Sequence, residues 1–142
     1  MEPDFTKSKY FKRSEFVCNC GCDRAEISQD LLTTLERIRE KLGEPMVVSS
    51  GYRCENHPVS KEKIEGGAAH GGAHHLGLAV DVHCAGVVQM NLLALALAET
   101  SINGIGINAR GPWNSRFVHI DIVPTNNAES AKGIGRPALW GY

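Results

Sequence analysis

Leu31, Leu32, Leu35, Ile38 and Leu42 recur at three- and four-residue spacing, which places them on one face of a helix over 29–42. Ser28 stands where an N-cap belongs and Gly43 where a helix stop belongs. The run 87–99 is apolar almost all round (Val87, Val88, Met90, Leu92, Leu93, Leu95, Leu97) and predicts a second helix, well buried. Elsewhere the period falls to two. Residues 45–49 read as a short β-branched strand leading into a Ser-Gly-Tyr-Arg turn. Residues 78–82 set Leu78, Val80 and Val82 against Ala79, Asp81 and His83. Residues 116–122 set Val118, Ile120 and Ile122 against Phe117, His119 and Asp121, and the glycines of 104–107 allow a strand with a close backbone neighbour. Between them, 55–72 is polar and rich in Gly, Pro and His, which predicts a long functional loop. Residues 1–27 lack a period and predict an irregular arm with a short helix, anchored by Phe5, Tyr10, Phe11 and Phe16; residues 133–142 are expected to fold over an edge. Helices and strands segregate without βαβ alternation, so the expected class is α+β with an antiparallel sheet, in one domain over 1–142.

Composition narrows the function classes. A chain of 142 residues with 15 basic and 16 acidic side chains has a net charge of −1, which gives no electrostatic reason to expect nucleic acid or an anionic membrane. No apolar run reaches membrane-spanning length and the first residues carry no signal-peptide pattern. The expectation is a monomer made in the cytoplasm without membrane insertion. Five of the six histidines crowd into 57–83, and histidine is the commonest metal ligand. The five cysteines include a tight Cys18, Cys20, Cys22 cluster. With Cys54 as a fourth ligand it could hold a structural metal; the alternatives are reduced thiols or a disulfide within the cluster or to Cys54.

The sharpest chemistry lies in 71–84, GGAHHLGLAVDVHC, and in its downstream partner Phe117-Val118-His119-Ile120-Asp121. A catalytic zinc takes three ligands from His, Asp, Glu or Cys and keeps a position open for water. His74, Asp81 and His119 would supply such a set, with Gly77 tightening the turn and small Ala79 leaving room beside Asp81. The competing reading makes His74 a loop hydrogen-bonder and Asp81 a strand-end carboxylate. His75 neighbours His74 and is its rival; His70 and His83 read as supporting or loop histidines, and His57 as exposed.

These motifs resemble the zinc D-alanyl-D-alanine carboxypeptidases, the VanX-type dipeptidases and the phage L-alanyl-D-glutamate endopeptidases, which share a fold with hedgehog signalling domains. The likeness runs from about Phe11 to Trp140 and is nearest to the small phage and prophage members, with their cysteine cluster (here 16–22), Ser-Gly-Tyr-Arg-Cys turn (here 50–54) and Arg-x-x-x-Trp-like segment (here 136–140). The resemblance implies a hedgehog/DD-peptidase-like fold and one catalytic zinc on His74, Asp81 and His119. It implies that Arg53 stabilises the developing oxyanion and that substrate lies along Tyr52 and Gly72, where Gly72 replaces the family's usual serine. The family's general base often lies three residues before the last histidine. That position is Arg116 here, so Asp121 is the expected base, with a role in orienting a ligand as its alternative. The implied substrate is a peptidoglycan peptide and the implied setting a lysis enzyme acting on the wall after release. A non-catalytic domain of the same fold, binding wall peptide or another protein, is the second reading.

Overall fold

The computed structural model describes residues 1–126 and 131–142. Helix α1 spans Gln29–Leu42; the Ser28 hydroxyl accepts the N–H of Leu31 at its start, and Gly43 closes it at φ 69°. Its apolar face, with Leu31, Leu32, Leu35 and Ile38, is buried, and each such side chain contributes roughly 1.5–3 kcal/mol. Strand β1 (Val47–Ser50) follows, then α2 (Pro58–Glu65), β2 (Ala79–His83), α3 (Gly86–Ala98), β3 (Gly104–Asn108), β4 (Phe117–Asp121) and β5 (Ala138–Gly141).

Among the described residues the strands form one mixed sheet in the order β1-β2-β4-β3-β5. All pairs are antiparallel except β3 with β5, so the segment expected to fold over an edge becomes a parallel edge strand. Val80, Val82, Ile105, Val118 and Ile120 join the buried core, where α1 packs on α3 and α3 on β4. The opposite side chains form rows across the sheet. One row runs Ser50, Asp81, His119, Gly106, Trp140; the next runs Ala79, Asp121, Gly104, Ala138. This register is what brings residues far apart in sequence onto one surface.

Two expectations are corrected. The polar stretch 55–72 is not all loop: α2 starts where His57 Nδ1 accepts the N–H of Val59 and Pro58 takes the first turn, a position that spares its missing N–H. Its weak apolar pattern hid it, for Ser60 is its one buried residue. Helix α3 is not buried all round either. Gln89, Leu92 and Ala96 face inward, whereas Val87, Met90 and Leu97 are largely exposed. The arm is irregular, as expected, with short 3-10 helices at Phe5–Lys7 and Arg13–Glu15, and it buries Phe11 and Phe16.

Candidate metal centre

Asp81 and His119 face each other across β2 and β4, and His74 reaches them from the turn that precedes β2. Asp81 Oδ1 lies 3.0 Å from His119 Nδ1 and 3.3 Å from His74 Nε2. All three residues are less than a tenth exposed. Each imidazole has its other nitrogen engaged: His74 Nδ1 lies 2.8 Å from the Gly51 carbonyl, and His119 Nε2 lies 2.8 Å from Asp121 Oδ2. Metal-binding histidines are typically oriented in this way by an acceptor on the far ring nitrogen. Two imidazole nitrogens and one carboxylate oxygen, converging within 4.8 Å of one another, fit the donor set of a catalytic zinc.

The electrostatics reinforce the convergence. Burial alone would raise the Asp81 carboxyl, but hydrogen bonds from His119 and His74 outweigh it and hold the group far below the usual carboxylate range. Burial lowers His74. Burial would also lower His119, yet its bonds to Asp121 and Asp81 raise it.

Asp121 departs from the expected general base. It is fully buried, and Arg136 grips it with Nε at 2.9 Å from Oδ1 and Nη2 at 2.6 Å from Oδ2. The Val123 N–H donates to Oδ1 as well, at 3.2 Å. Burial would raise this carboxyl, but His119 and Arg136 together pull it down. Both of its oxygens are engaged and it does not line the cleft, an arrangement that suits the alternative role of orienting His119 better than that of a base. Its row neighbour is Gly104, where any Cβ would collide with the Asp121 carboxylate and Arg136.

A cleft of about 330 Å³ opens over the three ligand atoms, lined by Arg53, Lys63, Gly72, Phe117, Trp140 and Tyr142 among others. Arg53 donates from Nη2 to Asp81 Oδ2 at 3.1 Å and from Nε to Ser50 Oγ at 3.0 Å, so its guanidinium is fixed at the cleft. Gly72 lies on the wall with φ +98°, beside Lys63 Nζ. Tyr52 does not face the cleft, a second correction: it is 4% exposed, belongs to the core, and its hydroxyl accepts from Arg24 Nη2 at 3.1 Å. His75 does not join the converging ligand atoms, its Nδ1 accepting the Gly71 N–H, while His70 and His83 bond to the carbonyls of Lys132 and Arg116.

Sequence reasoning missed Lys63, Trp140 and Tyr142 as cleft residues and Arg136 as partner of Asp121. Trp140 packs where Gly106 leaves space, 5.1 Å between ring centroids from His119. One signal was available for Arg136: a carboxylate on an inward strand face needs a cation. The structure also gathers Cys18, Cys20, Cys22 and Cys54, whose sulfurs lie within 4.8 Å of one another, while buried Cys84 stands apart.

An α+β sheet that aligns two histidines and a carboxylate under a cleft makes a candidate catalytic metal centre. The family model for peptidase M15 matches residues 9–121, and the chain belongs to that family of zinc-dependent peptidases. No curated protein matches the chain.

Proposed function

We propose that this chain hydrolyses peptide bonds of bacterial peptidoglycan, with His74, Asp81 and His119 holding one zinc ion. The observation that carries the reading is the convergence of those three ligand atoms beneath a cleft that also presents Arg53. Zinc, when bound, would polarise the scissile carbonyl and make water a competent nucleophile at neutral pH.

The side chains supply the rest. Arg53 donates to the carbonyl oxygen as it gains charge, held ready by Ser50 and Asp81. Arg53 and Lys63 together give the cleft positive charge, and no described residue pairs with Lys63. That charge suits a substrate carrying a free carboxylate, as wall stem peptides do. Trp140 and Tyr142 form an aromatic wall that shields the site from water and packs against the peptide. The chain works as a monomer. No helix among the described residues is long and apolar enough to cross a membrane.

A second reading, a domain that holds wall peptide without cutting it, draws on one observation: among the described residues, no carboxylate other than the ligand Asp81 lines the cleft. Digestion of purified peptidoglycan separates the two. The enzyme releases peptide fragments of defined mass, stops with chelator and resumes with zinc. Sedimentation with the wall but no fragments means the binder, and neither result removes both readings.

A further inference from the structure

We propose that Cys18, Cys20, Cys22 and Cys54 hold a second, structural zinc ion that ties the arm to the turn carrying Arg53. The four sulfurs lie within 4.8 Å of one another and none is in a disulfide. Thiolates each about 2.3 Å from a tetrahedral zinc stand roughly 3.8 Å apart, so only small shifts complete the site.

A backbone donor already points into the cluster: the Cys54 N–H donates to Cys18 Sγ at 3.3 Å. N–H groups aimed at sulfur stabilise thiolate ligands far more than neutral thiols. A disulfide would use two sulfurs and leave the other pair unexplained, although Cys20 and Cys54 are 3.2 Å apart.

The local chain also calls for a cross-link. Residues 17–27 form no helix or strand, and the loop closes on one backbone bond from Cys18 N–H to the Arg24 carbonyl at 2.8 Å. Gly21 and Asp23 sit at φ +91° and +55°, and holding a residue other than glycine there carries a conformational cost. A metal bound only by the folded loop offsets that cost. Cys18 and Cys54 are buried while Cys20 is exposed, so the ion has a route in from solvent.

The consequence reaches the cleft without depending on the peptidase reading. Cys54 follows Arg53, whose N–H bonds to the His74 carbonyl at 3.3 Å. Gly51, whose carbonyl orients His74, presses on the backbone of Phe16, and Tyr52 N–H bonds to the Phe16 carbonyl at 3.0 Å.

The test is metal content of the intact chain purified with zinc present. Two clusters predict two zinc ions per chain by elemental analysis. A chelator strips the ion at the histidines first, and the remaining ion leaves as a mercurial titrates the cluster's four thiols. Cys20→Ser, at an exposed position, lowers the count from two to one and removes the sulfur-to-metal charge-transfer band of the cobalt form. His119→Ala keeps that band. A wild type with no zinc that the mercurial releases from the cysteines, iron at the cysteines, or a mass showing a disulfide among them overturns the proposal. Where Cys20→Ser fails to fold, the wild-type titration decides.

Discussion

The two ligand clusters of this chain are built on opposite plans. His74, Asp81 and His119 take their places from sheet register and from partners that fix each side chain: Gly51, Arg53, Asp121 and Arg136. Cys18, Cys20, Cys22 and Cys54 stand on irregular chain, placed by a few backbone bonds and by Phe16 packing under Gly51. One cluster is a rigid platform that receives an ion. The other is a loop that an ion would finish. The difference teaches that similar ligand counts serve different purposes, chemistry on the sheet and cohesion at the arm.

The largest expected effect comes from breaking the platform itself. His119→Ala should reduce hydrolysis to the level of a metal-free blank while the fold, followed by circular dichroism, persists. Arg53→Ala should lower kcat by about 100- to 1000-fold with the metal retained, since it removes a charged donor to the oxyanion; an unchanged kcat would remove Arg53 from the chemistry. Asp121→Asn should cost about 10- to 100-fold in metal affinity or activity, with excess zinc restoring much of the rate, because it loosens His119 and spares the reacting atoms. Failure of added zinc to restore any rate would return Asp121 to the role of base.

Acid should expose the weaker plan, with the smallest effect on turnover. Arg13 lowers Glu2 and Arg24 lowers Glu26, while Glu55 is lowered by its own backbone N–H and by Arg24. A carboxyl depressed in the folded state supports stability above its unfolded value of about 4.3 and loses that support as pH falls through the folded value. Two of these ion pairs, Arg13–Glu2 and Arg24–Glu26, lie within the arm, and the third, Arg24–Glu55, ties it to the segment after Cys54. Amide exchange below about pH 4 should therefore quicken in the arm before it does in β2 and β4. Simultaneous loss of protection would show that the two regions unfold as one.

The strand-borne part of the site was legible because alternation is strict there. The spacing from His74 to Asp81 and the His119-Ile120-Asp121 pattern name residues that the sheet does place side by side. Helix α1 and strands β1, β2 and β4 were legible from their own patterns and β3 from its glycines, whereas β5 was read only as a segment folding over an edge. Helix α2 was not, because a short helix burying only Ser60 leaves almost no hydrophobic period. The exposure of α3 was hidden by composition, since an all-apolar helix gives no direction to point. The role of Asp121 was not legible because its residue type fits both a base and a positioning group, and the contact that favours the second, from Arg136, comes from a distant part of the chain.

The residues that grip an ion lie inside the stretch matched by the family, 9–121, whereas Ile134, Arg136, Trp140 and Tyr142 on the opposite side of the cleft come after it. The ligand triad and part of the cleft lining thus lie in one stretch of the chain and the rest of the lining in the next, joined by the parallel docking of β5 onto β3. Grafting another edge strand at that seam would retune what is admitted while leaving the ion's seat in place.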